Sequence, residues 1–316
     1  MPGGQRGKPT CPRRDVTGRA GWELKRRQNC LFPWWRRRVQ LDLMIRSAVT
    51  ICLVPEAAAG PFVFHQPLAV ACAAAKAHGF DAVEIFPGHA DELNGMELRN
   101  LLREHGLMLA ALGTGAGWLR HKYRLTDPDP HQRMAARDFA GGIIDFAGGF
   151  GAPAIIGSMQ GRWGDGVSRE QALTWLRDEL NQLAPRAHAL GVPLLLEPLN
   201  RYESNLFNTV EEALAFLDSL QTGNVELLCD LFHQNIEEVD VAAALRRAGT
   251  RLGHVHFVDT NRRAVGFGHL DMKPVVRALR EVGYDGYLSA ECLPLPDAAT
   301  AAQQTMESFR NYFGTP

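Results

Sequence analysis

Four short apolar runs in this chain each end abruptly in a side chain that can bind a metal ion or carry a proton. The first run, Leu194–Leu196, ends in Glu197, and the three later runs end in Asp230, His256 and Glu291. A short apolar run is typical of an inner strand of a parallel sheet, which is buried on both faces. Because functional groups in such sheets gather at the carboxyl ends of the strands, the pattern predicts an α/β fold that brings these four side chains together.

From Met44 onward the chain repeats a strand signal followed by a helix signal, at intervals of roughly 30 to 40 residues. Eight strands close a parallel barrel, so the sequence predicts a single (β/α)8 TIM barrel over residues 44–316. A doubly wound open sheet is the alternative, and it is disfavoured because no GxGxxG motif follows the first strand. The predicted strands lie at about 47–54, 81–86, 107–113, 153–157, 192–197, 225–230, 252–258 and 287–291, and the predicted helices at about 68–78, 93–104, 131–147, 169–190, 210–220, 239–248, 273–282 and 298–312.

Several predicted helices carry the residues that usually begin and end a helix. Ser168 precedes the fourth predicted helix as an N-cap, with Gln171 three residues later. Glycines stand where a left-handed residue would end the helix, at Gly79, Gly106, Gly191 and Gly283. These signals indicate short connections between each helix and the strand that follows it.

Composition limits the class of protein. With 316 residues and 46% hydrophobic content, the chain can form one large α/β domain. Its six cysteines show no CxxC spacing, which argues against a disulfide framework or a structural zinc site and favours a reducing cytoplasm. No apolar run reaches the roughly 20 residues that a membrane helix needs, so we expect no membrane contact.

Residues 1–43 differ from the rest of the chain. They hold 11 Lys/Arg against 3 Asp/Glu, a net charge of +8, which leaves −9 for the remaining residues of a chain whose total is −1. The segment has no sustained period and is expected to be a disordered extension, either an upstream start or an appended tail. A basic arm for an anionic partner and a targeting peptide are the alternatives. The acidic remainder is a poor match for nucleic acid, which requires clustered positive charge.

The four strand-end residues predict a metal centre at the mouth of the barrel. Side chains at the carboxyl ends of barrel strands converge, however far apart they are in sequence. Three carboxylates and one imidazole suit a divalent cation, with Mn2+ as the first choice and Co2+ or Mg2+ as alternatives. A buried ion pair would explain any one of these residues but not four at equivalent positions. His254 shares a strand face with His256, and periodicity does not choose between them.

The same residues resemble the metal quartet of the D-tagatose/D-psicose 3-epimerases, a family of xylose isomerase-like barrels. Glu197, Asp230, His256 and Glu291 are separated by 33, 26 and 35 residues. The segment after Glu197 resembles that family in carrying a second glutamate, Glu203, six residues later. The segments after Asp230 and His256 add His233 and Arg262, and the position of Arg262 favours His256 over His254 as the ligand. In motifs the chain is most similar to the 5-keto-L-gluconate epimerase subgroup.

The resemblance implies an isomerase that epimerises C3 of a free keto-sugar or keto-sugar acid through a cis-enediolate. Glu197 and Glu291 would be the acid/base pair as well as metal ligands, with Asp230 and His256 completing the ligand set. Glu203, His233 and Arg262 would bind the substrate. The family also implies a homodimer or homotetramer.

Two other activities are alternatives to the epimerase. An aldose–ketose isomerase of the hydroxypyruvate isomerase type would use the same two glutamates and metal to move a proton between C1 and C2. A DNA repair enzyme of the endonuclease IV type would need more metal ligands than the sequence offers and a positive surface for phosphates. The epimerase is therefore the leading hypothesis.

Five further residues bear on the site, and three of them have two possible roles. Trp118 either covers the sugar or packs under a Gly-rich loop, and Arg162 either meets a substrate carboxylate or is a solvated loop residue. His269 either shapes the seventh loop or touches substrate. Glu84 is expected to be a paired carboxylate inside the barrel, and Asp259 stands where the hexose epimerases commonly carry Glu.

Overall fold

The computed structural model describes residues 44–314, which form a closed ring of eight parallel strands in sequence order. Each strand pairs with its neighbour in sequence, and β8 pairs with β1 to close the barrel. The predicted TIM barrel and all eight predicted strands are confirmed. The proposed extension over residues 1–43 lies outside the described residues. The strands are β1 Arg46–Cys52, β2 Ala82–Phe86, β3 Met108–Gly113, β4 Ala154–Ile156, β5 Leu194–Leu196, β6 Val225–Asp230, β7 Leu252–His256 and β8 Tyr287–Ala290.

Ten α-helices occur in the described part of the chain, and eight of them correspond to the predicted ones. Ser168 caps its helix by accepting a hydrogen bond from the Gln171 N–H, as expected. Gly79 and Gly106 end their helices in the left-handed conformation. The helices are α1 Leu68–His78, α2 Gly95–His105, α3 Ala116–His121, α4 Pro130–Gly148, α5 Arg169–Ala189, α6 Val210–Leu217, α7 Leu231–Glu237, α8 Val241–Ala248, α9 Met272–Glu281 and α10 Ala298–Phe313.

Two short helices, α3 and α7, were not predicted, because one or two turns leave almost no periodic signal. Helix α7 follows β6 without a gap, and Asp230 caps it with Oδ1, which accepts hydrogen bonds from the Phe232 and His233 N–H groups at 2.7 and 3.2 Å. Helix α3 lies in the loop region after β3. Both helices lie at the carboxyl ends of strands, where the active sites of such barrels are built.

The strands separate an inner layer of side chains from the main core. Alternate residues of each strand point outward against the helices, such as Val49 and Ile51 of β1. The inward residues form two small clusters, one of Ala48, Ala82 and Ala110 and one of Ala111, Ile155, Leu195 and Leu228. A register shift between Val83 and Glu84 pairs Glu84 with Ala111. The interior is thus filled by side chains.

No helix among residues 44–314 has the length and apolar character required to cross a membrane. The four cysteines in this part of the chain, Cys52, Cys72, Cys229 and Cys292, are buried free thiols. Burial raises the pKa of the Cys72 thiol to about 11 and that of the Cys292 thiol to about 12.

Candidate metal centre and active site

The four residues of the sequence-predicted quartet meet at the carboxyl end of the barrel. Glu197 and Glu291 come directly after β5 and β8, whereas Asp230 and His256 are the last residues of β6 and β7. One ligand atom from each residue lies within 4.8 Å of those of the other three. Asp230 and His256 are also direct partners in the β6–β7 pairing. The fold therefore brings together residues that span 94 positions of the chain.

His256 turns one ring nitrogen toward the other three residues of the quartet and the other ring nitrogen toward Glu84. Its Nδ1 lies 3.1 Å from Asp230 Oδ2, 3.5 Å from Glu291 Oε2 and 3.6 Å from Glu197 Oε1. Its Nε2 lies 3.1 Å from Glu84 Oε1, on the side facing down into the barrel. Nδ1 is thus the nitrogen that a cation in the quartet would meet.

His254 is a partner of Glu84 and does not belong to the quartet. Its Nε2 lies 2.8 Å from Glu84 Oε2, and the side chain is buried below the rim. Side chains two apart on a strand point to the same face, so both histidines face inward, but His256 lies one step nearer the mouth. His256, and not His254, therefore lies within reach of the three quartet carboxylates. Glu84 is a paired interior carboxylate, as predicted.

The positive groups near the quartet do not fully balance the negative charge of its three carboxylates. Burial, together with the charges of Glu291 and Asp230, raises the pKa of Glu197 well above its ordinary value, against the opposing charge of His256. Burial raises the pKa of Glu291 to about 7 despite the nearby His256 and Arg262. The pKa of His256 lies well above its usual value. Burial alone would lower this pKa, but the negative charges of Glu291 and Glu84 outweigh the effect of burial. Three crowded carboxylates require a further positive charge to ionise together.

The quartet fits a divalent cation. Within the described part of the chain, the buried Glu197 Oε1 has no hydrogen-bond partner. A buried carboxylate oxygen left without a partner is costly, and coordination to a cation removes that cost. Three carboxylate groups and one imidazole nitrogen suit Mn2+, Co2+ or Mg2+, and no thiolate is among them. The cluster is therefore able to bind a metal ion, and its donor atoms leave the choice of metal open.

Arg262 and Glu203 lie beside the quartet. Arg262 Nη1 donates to Glu203 Oε1 at 2.9 Å, and Nη2 donates to Glu291 Oε2 at 3.4 Å. The guanidinium lies 4.9 Å from the ring centre of Phe232. Both residues line the cavity above the quartet. Arg262 thus links a proposed substrate contact to a proposed acid/base group.

Asn200 controls the orientation of His233, and sequence reasoning missed it. The Oδ1 of Asn200 accepts a hydrogen bond from the Tyr202 N–H, so its Nδ2 is the group that faces His233 Nδ1, at 2.7 Å. His233 Nδ1 must then accept, which puts the ring proton on Nε2. Nε2 is buried and has no hydrogen-bond partner among the described residues, although Glu197 Oε1 lies 3.8 Å away. His233 therefore offers an N–H donor to a molecule in the cavity.

Asp259 shapes the loop that carries Arg262. Its Oδ1 accepts hydrogen bonds from the Thr260 and Leu270 N–H groups at 2.8 and 3.0 Å, and its Oδ2 accepts one from the Gly266 N–H at 2.8 Å. Arg262 adopts a left-handed φ of 59° within this loop. Asp259 is nearly fully buried, so its role is to fold the loop rather than to meet substrate.

A cavity of about 280 Å3 lies above the quartet. Apart from the site residues, its wall is largely apolar and contains Phe62, Phe86, Trp118, Leu119, Ile155 and Leu199. Thr50 and Thr114 also line it, but their hydroxyls donate to the Ala290 and Ile155 carbonyls. The cavity therefore combines the charged groups of the quartet and its neighbours with a largely apolar wall.

The structure shows which of Trp118, Arg162 and His269 lie at the cavity. Trp118 lies on α3 and lines the cavity. Arg162 does not line it, and its N–H donates to Thr126 Oγ1. His269 also lies outside the lining, and its Nδ1 is 3.0 Å from Thr260 Oγ1 in the seventh loop.

Gly157, directly after β4, leaves room for the Glu197 carboxylate. A Cβ at this position would lie 2.5 Å from Glu197 Oε2. We expect Gly157→Ala to displace the carboxylate and to lower kcat about 100-fold, because misplacing a reacting group by about 1 Å costs on that order. Gly142→Ala in α4 is the control, since its Cβ would meet only ordinary contacts at 3.5 Å. Steady-state kinetics and melting temperatures of both variants check this. A Gly157→Ala protein with unchanged kcat contradicts it.

Comparisons with known proteins identify the family of barrels that the chain resembles. The sequence matches the family described as Xylose isomerase-like TIM barrel over residues 72–312. It is 32% identical to the D-psicose 3-epimerase of Agrobacterium fabrum, over 67% of this chain and 75% of that protein. It is 30% identical to the 3-dehydro-D-guloside 4-epimerase of Escherichia coli, over 68% of this chain and 83% of that protein. The structure matches a D-allulose 3-epimerase from Methylomonas sp. with a TM-score of 0.72 and 25% identity, covering 85% of this chain and 98% of that chain.

Proposed function

The chain belongs to the xylose isomerase-like TIM barrel family, and on that premise we propose that it is a divalent-cation-dependent epimerase acting at C3 of a free keto-sugar. The observation that carries the proposal is the meeting of Glu197 and Glu291 with Asp230 and the Nδ1 of His256 at one end of a cavity. Relatives named as ketose 3-epimerases support the choice of reaction.

The proposed mechanism uses the two glutamates as proton carriers. One carboxylate removes the proton from C3, its O–H bond forms as the C–H bond breaks, and the electron pair passes into an enediolate. The other glutamate returns a proton to the opposite face of C3. Glu197 and Glu291 follow β5 and β8, which are well separated around the ring, so they suit the two faces of a substrate between them. A bound divalent cation, held by Glu197, Asp230, His256 and Glu291, would supply Lewis-acid stabilisation of negative charge on the substrate oxygens.

Three neighbouring residues are proposed to bind the substrate near the reacting carbon. Arg262 is held by Glu203 and reaches Glu291, so its charge favours the developing negative oxygen. The Nε2–H of His233 is free to donate to a hydroxyl or ketone oxygen. Glu203 is partly exposed and lines the cavity, where its carboxylate can accept from a sugar hydroxyl.

The cavity favours a free keto-sugar over a keto-sugar acid or a phosphorylated sugar. Of the described residues that line it, Arg262 is the single Lys or Arg, and its two terminal nitrogens already contact Glu203 and Glu291. A charged group at the far end of a substrate would meet Phe62, Phe86 and Trp118 instead of a cation. The same lack of cations in the lining disfavours the DNA repair alternative, which needs phosphate contacts.

Turnover in D2O tests the proposed reaction. The purified protein with added Mn2+ would be incubated with ketohexoses, ketopentoses and keto-hexonates, and the products analysed by NMR. We expect deuterium at C3 of an uncharged ketose, because the glutamate that delivers the new proton to C3 has exchanged that proton with the solvent. Label at C1 or C2 alone would instead identify an aldose–ketose isomerase, and label at C4 would identify a 4-epimerase. Turnover of a keto-hexonate in preference to every ketose would contradict the proposed substrate class.

A further inference from the structure

Three buried residues form a chain of hydrogen bonds beneath the quartet. Glu84 on β2 reaches across the barrel interior to two histidines of β7, a strand that is not its neighbour in the ring. Its Oε2 lies 2.8 Å from His254 Nε2, and its Oε1 lies 3.1 Å from His256 Nε2. All three side chains are almost completely buried. The proposed reaction gives no step to Glu84 or His254.

The chemistry of this arrangement fixes the protons on both rings. An ionised carboxylate can only accept hydrogen bonds, so each imidazole must present an Nε2–H to Glu84. For a neutral His256 this leaves Nδ1 without a proton. The lone pair of Nδ1 then points at the space shared by Asp230 Oδ2, Glu291 Oε2 and Glu197 Oε1. Glu84 thereby selects the one tautomer of His256 that can coordinate a cation in the quartet.

We propose that Glu84 is a positioning residue that sets the cation affinity of the quartet by holding His256 in its Nε2–H tautomer. The inference rests on the proposed cation site but not on the identity of the substrate or the reaction. Partners of this kind, which orient a metal-bound histidine, commonly change metal affinity by about 10- to 100-fold when they are removed.

His254 holds the other carboxylate oxygen of Glu84 by a second hydrogen bond. With both carboxylate oxygens hydrogen-bonded, the carboxylate plane cannot rotate away from His256. The same three residues place donor atoms within 4.8 Å of one another, so a second cation bound by Glu84, His254 and His256 is the competing interpretation. The two interpretations differ in the number of cations bound per chain.

The test is Mn2+ binding to the metal-free Glu84→Gln protein, measured by titration calorimetry without substrate. A glutamine offers an N–H group to one of the two histidines and so no longer enforces both Nε2–H tautomers. We expect binding 10- to 100-fold weaker than in the unmutated protein, one cation per chain, and a similar melting temperature of the metal-free form. Glu179→Gln is the matched control, because Glu179 is also buried and accepts from Arg137 at 2.9 Å, far from the mouth. Its Mn2+ affinity should be unchanged.

A second measurement needs no variant and keeps the proposal falsifiable even if Glu84→Gln fails to fold. Nitrogen-15 NMR of histidine-labelled unmutated protein, loaded with diamagnetic Zn2+, should show His256 with its proton on Nε2. A proton on Nδ1 overturns the proposal, as does an affinity of the Glu84→Gln protein within twofold of the unmutated one. A stoichiometry of two cations per chain overturns it in favour of a second site. None of these outcomes depends on epimerase activity, so a wrong reaction assignment would be recognised separately.

Discussion

Glu291→Gln is expected to lower kcat by roughly 10²- to 10⁴-fold, the range typical of removing a general acid or base. Glutamine keeps the shape of the side chain and can still accept from Arg262, but it cannot take up or return a proton. Glu291 is also a proposed cation ligand, so its loss affects two functions at once. Saturating Mn2+ in the assay separates them, because weaker binding is overcome by concentration whereas a lost proton carrier is not.

Glu281→Gln is the matched control for this variant. Glu281 ends helix α9, is exposed, and forms a surface ion pair with Arg246. Its replacement should leave kcat within twofold, since exposed ion pairs contribute little. If Glu291→Gln turned over at the rate of the Glu281 control while retaining bound Mn2+, the mechanism with two carboxylates would be wrong.

Saturation with Mn2+ is expected to raise the free energy of unfolding by about 2.7 kcal/mol when the free ion is 100-fold above its Kd. The physical reason is that the four donors come together only in the folded chain, so the ion binds the folded state and not the unfolded one. A chelated sample gives the reference, and thermal or denaturant unfolding measures the increment. Chelation should also abolish turnover, and added Mn2+ should restore it.

Asp230→Asn should remove most of this stabilisation without preventing folding. Asp230 uses Oδ1 to cap α7 and Oδ2 to contact His256, and the carbonyl oxygen of asparagine can keep the cap. The charge facing the cation is lost. Asp178→Asn, at an exposed position of α5, is the control and should keep the full increment. An equal increment in the Asp230 variant would exclude Asp230 as a ligand.

The strands and the quartet were predictable because both follow from local sequence pattern plus one rule of barrel geometry. Runs such as Leu194–Leu196 are recognisable as buried parallel strands, and the residue after each run is delivered to the mouth. Most helix boundaries differ from the predictions by one to three residues. Helix α5, for example, was predicted over 169–190 and is observed at Arg169–Ala189.

What the sequence left open depends on distances across the barrel. The roles of Glu84 and Asn200 come from contacts with residues far along the chain, and no local period marks them. Periodicity alone did not separate His254 from His256; the resemblance favoured His256, and the register of β6 with β7 places His256 level with Asp230. The helices α3 and α7 were missed because a cap and one or two turns are too short to show periodicity.

The closure of the ring by β8 and β1 links ion binding to the completeness of the fold. Glu291 follows β8 directly, and β8, the last strand in sequence, is held between β7 and the first strand, β1. A chain in which β8 has not yet docked holds only three of the four donors, and it also lacks the second proton carrier. High ion affinity therefore reports that the last strand of the barrel is in place.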